Sequence, residues 1–155
     1  MSPLTATEPT SVHTAIEPDL ATRLRLAVTR TARRLRQEAG TDLTPSLSAA
    51  LATVERHGPL SPSELAGIEA VRRPTATRIV AKLAGAGLVD RAGDPSDGRV
   101  SLVSINAAGS ALLHEMRMRK NAYLARRLRE LPADDIAALE RAADILERLL
   151  EGGRR

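Results

Sequence analysis

Four prolines divide the middle of the chain into short helical segments. Thr44-Pro45 has the N-cap and first-turn pattern of a helix, and Gly58-Pro59 marks the end of that helix. Ser61-Pro62-Ser63-Glu64 is a capping box, because the first side chain can accept from the last backbone amide while the glutamate bonds back. Pro74 opens the next helix, and Gly87 is its C′ residue. The pattern therefore predicts three short helices in succession.

A turn-rich segment follows these helices. Residues 88–91 and 99–105 predict two short strands, and residues 92–98 between them are rich in Gly, Asp, Pro and Ser. Helical periodicity predicts three further helices: one from Asp19 to a stop at Gly40, one over residues 107–131, and one after Pro132. This order predicts a mainly α fold with a small β-hairpin wing, in which a winged helix-turn-helix domain is joined to additional helices.

The fourth predicted helix has one apolar face and one polar face. The apolar face, spaced i, i+3, i+4 and i+7, consists of Ala76, Ile79, Val80 and Leu83. The residues opposite or flanking it are Pro74, Thr75, Thr77, Arg78, Ala81, Lys82 and Gly85. Small residues let a helix lie deep in a DNA groove, where Arg78 can pair with guanine and threonines can bond a base or touch a thymine methyl. Arg72 and Arg73 precede the helix, where cations and free N–H groups can meet phosphate.

Composition excludes several other classes of protein. The chain has one Tyr and no Phe or Trp, which argues against single-strand binders that stack bases on aromatic rings. It has no cysteine, so disulfides, cysteine nucleophiles and thiolate metal sites are excluded. No apolar run approaches the roughly 20 residues that span a bilayer, and no signal-peptide pattern is visible. We therefore expect a cytoplasmic protein without a membrane partner, a metal or a cofactor.

The charge of the chain favours a phosphate-rich partner. The formal net charge is +4 and the pI is about 10.5. Of the 23 basic residues two are lysines, Lys82 and Lys120, and the other 21 are arginines. No nucleophile elbow, phosphate loop or other catalytic pattern is present, so we do not expect an enzyme.

Five stretches of the sequence resemble the MarR family of bacterial transcriptional regulators. The stretches are Ser61 to Ala66, Val71 to Val80, Lys82 to Arg91, Asp94 to Arg99 and Leu102 to Gly109. They match the family's start of the recognition helix, its exit into the wing, the wing tip, and the strand that leads into the next helix. The resemblance extends over about residues 19–152. One departure is Ile105-Asn106, which stands where the family has Leu-Thr; an asparagine can still cap the following helix.

The resemblance implies a homodimer that binds a pseudo-palindromic stretch of double-stranded DNA. Residues 1–18 would be a flexible arm, residues 19–43 and 107–152 a helical dimerisation domain, and residues 44–106 the DNA-binding domain. The apolar stripes of the first, fifth and sixth helices also predict self-association, since they exceed what one small winged domain can cover. Two recognition helices would then lie about 34 Å apart, one turn of DNA.

The resemblance also implies roles for single residues. Thr75, Thr77 and Arg78 match the family's base-facing positions. The wing arginine, Arg99, would enter the flanking minor groove, and Asp97 would brace the wing. From their positions beside and on the helix, we expect Arg72, Arg73 and Lys82 to hold phosphates of the DNA backbone, and Pro74 to lie on the DNA-facing surface of the helix. Many members release DNA when a small anion or phenol binds, so a small-molecule effector is a possible further partner.

The leading interpretation is a dimeric regulator, with repression as the expected outcome of binding. The alternative is a winged-helix module that binds another protein without sequence-specific recognition of DNA. A salt titration separates the two, because several phosphate contacts require a steep fall of log affinity with log salt concentration.

Overall fold

The computed structural model describes residues 18–97 and 101–152. The helices are α1 (Pro18–Glu38), α2 (Pro45–His57), α3 (Pro62–Ile68), α4 (Arg73–Gly85), α5 (Ala107–Leu128) and α6 (Ala133–Gly152), and the strands are β1 (Val89–Gly93) and β2 (Ser101–Ile105). The predicted order and fold class are confirmed. Helix boundaries differ slightly: α3 ends two residues before Ala70, α4 begins at Arg73 instead of Pro74, and α5 ends at Leu128 instead of Leu131.

The chain divides into two compact units, one ending at Arg34 and one beginning at Leu35. In the first unit, α1 carries Leu20, Leu24 and Val28 as exposed apolar side chains. One ion pair in this unit joins Asp19 to Arg23 one turn later at 3.8 Å, with both side chains largely exposed. An exposed pair of this kind contributes about 0–1 kcal/mol, so it adds little to the stability of the helix.

The core of the second unit lies under the short central helices. Its largest fully buried side chains are Leu51, Val54, Leu65, Val80, Leu83 and Val103, which come from α2, α3, α4 and β2. Leu113 and Met116 extend this core into the first half of α5. Because the core contains no aromatic ring, it consists of aliphatic side chains that must interdigitate closely to exclude voids.

The sheet has one more partner than the predicted hairpin. β1 and β2 pair antiparallel, with Val89 opposite Ile105 at one end and Gly93 opposite Ser101 at the other. Leu60 adds a one-residue bridge on the other side of β2. Its N–H donates to the carbonyl of Val103 at 3.1 Å, and the Val103 N–H donates back at 2.9 Å. This bridge anchors the connection between α2 and α3 to the wing.

Helices α3 and α4 end in the same backbone motif. The residues after their caps, Ala70 and Gly87, have φ of 52° and 70°, in the left-handed region. In both turns the next residue donates back into the last helical turn: Val71 to the carbonyl of Ala66 at 3.0 Å, and Leu88 to that of Leu83 at 3.0 Å. These are Schellman motifs. The glycine in the second was predicted from the sequence, whereas an alanine gives no such signal.

Helix α6 has no buried residue in the part of the chain that the structure describes. Its exposed apolar side chains include Leu139, Ile145, Leu149 and Leu150. The helix begins directly after Pro132, whose carbonyl accepts from the N–H groups of Asp135 and Ile136. The helix predicted after Pro132 is therefore confirmed. Among the described helices, none combines the length and the apolar character needed to cross a membrane.

The two Schellman turns predict stability changes of opposite sign. Ala70→Gly should raise the free energy of unfolding by up to about 1 kcal/mol, because glycine adopts positive φ without steric cost. Gly87→Ala should lower it by about 1 kcal/mol for the same reason. A Cβ at Gly87 would meet no atom within 4 Å, so conformation alone would cause the loss. Urea unfolding of both variants measures this, and a change of the same sign in both would contradict it.

Candidate nucleic-acid interface

Helix α4 presents one buried face and one exposed face, as its sequence predicts. The side chains on the inner face are at most 9% exposed, and they are Ala76, Ile79, Val80 and Leu83. The outer residues are all exposed, and they are Pro74, Thr75, Thr77, Arg78, Ala81, Lys82 and Gly85. Because the inner face is held in the core, the outer face cannot rotate without breaking that packing. The exposed surface is therefore fixed in direction.

The N-terminus of α4 is basic and has no side-chain cap. Arg72 is the N-cap residue in extended conformation, and no side chain accepts a hydrogen bond from the first turn. Arg72 and Arg73 are both exposed. An uncapped helix N-terminus carries partial positive charge, and adjacent guanidinium groups add to it. This end of the helix therefore suits an anion.

One threonine on α4 is held by a bond to its own helix. The hydroxyl of Thr77 donates to the backbone carbonyl of Arg73 at 3.0 Å. Its hydrogen is thereby used, so the exposed side chain presents its methyl group and the oxygen lone pairs. Such a group can contact a methyl or accept from a donor, but it does not donate without leaving this bond.

The approach to the wing is organised by an aspartate that sequence reasoning did not single out. The carboxylate of Asp94 accepts from the backbone N–H of Ser96 at 2.7 Å and from its hydroxyl at 2.6 Å. These bonds from Ser96 lower the pKa of Asp94, because they stabilise its charged form. The Asp-Pro-Ser pattern of an Asx turn was the available signal.

Of the two wing residues predicted from the sequence, the structure describes Asp97 but not Arg99. Asp97 is exposed at the end of the described part of the loop. Arg99 lies outside the described residues, so the bracing of the wing by Asp97 stays a prediction. Near the loop end of the two strands, the Nε of Arg91 on β1 donates to the hydroxyl of Ser101 on β2 at 3.4 Å.

The turn between α3 and α4 is supported by polar contacts at both ends of α3. At the start, the predicted capping box is confirmed: the Ser61 N–H donates to the Glu64 carboxylate at 2.7 Å, and the Glu64 N–H donates to the Ser61 hydroxyl at 3.2 Å. This backbone donation lowers the pKa of Glu64. At the end, the buried hydroxyl of Thr53 on α2 donates to the carboxylate of Glu69. These bonds fix the position of α3 and with it the entry to α4.

Two arginines connect α5 to other elements, and sequence reasoning missed both connections. Arg117 makes a bidentate pair with Glu55 of α2, at 2.7 and 3.1 Å. The hydrogen bonds of this pair lower the pKa of Glu55 and raise that of Arg117. Arg119 donates to the backbone carbonyl of Gly40 at 3.0 Å and also bonds Glu115. The partners lie 62 and 79 residues apart in sequence, so no local sequence pattern predicts these contacts.

The described residues contain no group of three or more His, Asp or Glu side chains that could hold a metal ion. What the surface offers instead is cationic and hydroxyl-bearing: an exposed arginine, a lysine and two threonines on a rigid helix, with two further arginines at its N-terminus. Arg78, Thr75, Thr77 and Lys82 lie together on one helix face, and Arg72 and Arg73 extend that surface. This chemistry matches the acceptor-rich edges and phosphates of duplex nucleic acid.

Comparison with known proteins points to one family. A sequence model of the MarR family matches residues 43–101. An uncharacterized HTH-type transcriptional regulator of Mycobacterium leprae is 39% identical over 133 residues, which cover 85% of this chain and 93% of that protein. A crystal structure described as a transcriptional regulator protein from Pseudomonas aeruginosa is similar with a TM-score of 0.78 and 33% identity, covering 85% of this chain and 94% of that one.

One similar structure contains nucleic acid. A variant of MepR from S. aureus, bound to an oligodeoxyribonucleotide, is similar with a TM-score of 0.67, covering 85% of this chain and 96% of that one. Its sequence is only 16% identical, so this likeness concerns the fold alone.

Proposed function

Because this chain belongs to the MarR family of transcriptional regulators, we propose that it is a homodimeric repressor of a pseudo-palindromic operator in duplex DNA. The observation that carries the proposal is the exposed, basic and small-residue face of α4, held in a fixed direction by its buried opposite face. Such a regulator acts on the nucleoid, in the cytoplasm. In the proposed domain organisation, residues 44–106 form the DNA-binding domain, residues 19–43 and 107–152 form the dimerisation domain, and residues 1–18 form a flexible arm.

In this proposal α4 lies in the major groove and supplies the base contacts. Arg78 projects from the middle of the exposed face, where its guanidinium can donate two bonds to guanine O6 and N7. Thr77 offers its methyl group to thymine, since its hydroxyl hydrogen is used within the helix. Thr75 is exposed and contacts a neighbouring base. Ala81 and Gly85 are small, which allows a close approach of the helix to the groove floor.

The phosphate contacts flank α4 on both sides. They are assigned to Arg72 and Arg73, which are the N-cap and the first residue of α4, and to Lys82, which lies between two and three turns further along on the exposed side. Pro74 lies beside them on the DNA-facing surface. Free N–H groups and cations at a helix N-terminus suit a phosphate oxygen. At the wing, Arg99 enters the minor groove beside the recognition site, and Asp97 braces it. Narrow A·T-rich minor grooves concentrate negative potential and attract arginine.

Arg78→Ala and Arg99→Ala should affect different parts of the operator. Arg78→Ala should cost about 1–3 kcal/mol in binding and relax the preference for one base pair in each half-site. Arg99→Ala should weaken binding most where the flanks are A·T-rich. Fluorescence anisotropy, on duplexes chosen by footprinting the DNA upstream of the protein's own gene, measures both effects. Equal losses of Arg99→Ala on A·T and G·C flanks would contradict the minor-groove role.

A matched control and a salt titration complete this experiment. Arg129→Ala removes an exposed arginine at the C-cap of α5, the far end of a 22-residue helix, about 33 Å from its start. We expect this variant to bind DNA normally.

The salt titration tests for phosphate contacts. Several such contacts require that log affinity falls with log salt concentration with a slope of several units. A shallow slope together with unchanged binding by Arg78→Ala would instead favour the alternative function, a winged-helix module for a protein partner.

The dimer is proposed from the exposed apolar side chains of α1 and α6. Leu149 and Leu150 are 65% and 74% exposed, and α6 buries nothing within the described chain. A soluble protein seldom leaves an apolar helix face of this size in water, and a second copy of the chain is the proposed cover.

Leu149→Glu should weaken the dimer, because it places a charge in the proposed apolar contact. We expect the dimer dissociation constant to rise by about tenfold or more, corresponding to 1.4 kcal/mol or more. Sedimentation equilibrium measures it directly. Ile68→Glu is the control, since Ile68 is similarly exposed, at 50%, but lies on α3 in the proposed DNA-binding domain. A dimer equally weakened by both substitutions would argue against the assignment to α6.

An effector site is proposed at an open pocket of about 340 Å³ beside α5. Its lining consists of Glu38, Arg119, Ala122, Tyr123 and Arg126. The guanidinium of Arg126 lies 5.9 Å from the centre of the Tyr123 ring. The two arginines of the lining outnumber its one carboxylate, Glu38, and they stand beside the only aromatic ring of the chain, which suits a small aromatic carboxylate.

Benzoate is a suitable probe of this pocket. At about 100 times its dissociation constant, a bound ligand should raise the Tm by several degrees. The same concentration should weaken operator binding in the anisotropy assay. Arg126→Ala should remove both effects, whereas Arg129→Ala, one helical turn away and outside the pocket lining, should keep both. If benzoate still raised the Tm of Arg126→Ala, its binding site would lie outside this pocket.

A further inference from the structure

Asn106 joins three elements at the point where the wing returns to α5. It is the N-cap residue of α5, and its Oδ1 accepts from the N–H of Gly109 at 3.0 Å. Its Nδ2 donates to the carbonyl of Gly87 at 3.0 Å and to the carboxylate of Asp90 at 3.3 Å. Its backbone N–H donates to the carbonyl of Leu88 at 3.3 Å. One half-buried side chain therefore bonds the start of α5, the turn that ends α4, and the first strand of the wing.

The backbones at this junction lie in direct contact. A Cβ built on Gly109 would lie only 2.2 Å from the Leu88 carbonyl oxygen and 2.8 Å from a side-chain carbon of Ile105. No other residue fits at Gly109 without moving α5 away from the end of β1 and β2. The bonds of Asn106 thus act across an interface that is already closely packed, where small displacements are costly.

The amide group of Asn106 is suited to this junction in a way that other capping residues are not. It offers an acceptor for the helix N-terminus and two N–H donors for the two oxygen atoms across the junction. Threonine could accept from Gly109, but its single hydroxyl hydrogen cannot serve both Gly87 and Asp90. Aspartate could cap the helix equally well, but it has no donor and would repel the carboxylate of Asp90.

We propose that Asn106 is a positioning residue for DNA binding: its side-chain amide locks the end of α4 and the root of the wing to α5. This inference rests on the proposed function, because α4 and the wing are there the DNA-binding elements and α5 belongs to the dimer. These hydrogen bonds hold α4 at a fixed position relative to α5. Because α5 is part of the proposed dimer, the two recognition helices then keep a distance that matches the spacing of the operator half-sites.

The direct test measures the junction without DNA. Because the chain has no cysteine, nitroxides can be placed on Lys82→Cys in α4 and Ala111→Cys in α5, both exposed positions. Diluting labelled with unlabelled protein isolates the distance within one subunit. We expect a narrow distance distribution with Asn106, a broader one with Asn106→Thr, and the broadest with Asn106→Asp.

The order of the variants distinguishes the lock from simple helix capping. If Asn106 only capped α5, Asn106→Asp would be neutral, since aspartate is an equally good N-cap. Asn121→Thr is the matched control, because it makes the same substitution at an exposed position of the same helix. The proposal would be overturned if the distance distributions were equally wide in the protein with Asn106, in the two Asn106 variants and in Asn121→Thr. It would also be overturned if Asn121→Thr broadened the distribution as much as Asn106→Thr does.

Operator binding gives the functional readout. Asn106→Thr should lose about tenfold in affinity, the loss expected when two net hydrogen bonds no longer hold the bound arrangement. Its preference for the native half-site spacing over a spacing one base pair longer should also shrink. An affinity loss that is the same at every spacing would overturn the proposed role in positioning.

A failure of the proposed function gives a different result. If the unsubstituted protein binds no operator while its distance distributions follow the expected order, the lock exists and the assignment to DNA is wrong. If the unsubstituted protein binds its operator and the distributions do not respond to Asn106, the function stands and the lock is wrong.

Discussion

Burial of the aliphatic face of α4 is the interaction on which the rest of the candidate interface depends. Ala76, Val80 and Leu83 are at most 1% exposed, and Val80 and Leu83 pack in a core shared with α2, α3 and β2. A helix held on one side by close packing cannot turn about its axis, so the direction of its polar face follows from the core. Arg78 and its neighbours point outward because the positions between them are inside.

The absence of Phe and Trp affects both the core and the surface. The buried core cluster is built of aliphatic side chains and Met116. Beside it the backbones also approach closely, since a Cβ at Gly109 would lie 2.2 Å from the carbonyl oxygen of Leu88. On the surface, the lack of aromatic platforms disfavours base stacking and agrees with contacts to the grooves and phosphates of a duplex. The single tyrosine lies on α5, where the guanidinium groups of Arg126 and Arg127 are 5.9 and 5.8 Å from the centre of its ring.

The arginine excess is a weaker indication of DNA binding than the net charge suggests. Many arginines belong to α1 and α5 and not to α4. Two of those on α5 have structural partners: Arg117 holds α5 to α2 through Glu55, and Arg119 donates to the carbonyl of Gly40, which lies after the end of α1. Among the described residues, the basic side chains at the start and on the outer face of α4 are Arg72, Arg73, Arg78 and Lys82, and these are the ones proposed to contact DNA. Position on a rigid helix is therefore more informative than total charge.

The sequence by itself determined the order of the elements, most of the helix ends and the two faces of α4. These features follow from signals within a few residues: proline at helix starts, the capping box at Ser61, glycine at positive φ, and apolar spacing of 3.6 residues. The candidate base-contacting residues could be named for the same reason. Tertiary structure alone decided the bridge of Leu60 to β2 and the positive φ of Ala70. It also decided the hydrogen bonds of the α5 arginines to Glu55 and Gly40, and those of the Asn106 side chain across the junction. Most of these contacts join atoms 16 to 79 residues apart in the chain, and their partners become neighbours only when the core packs.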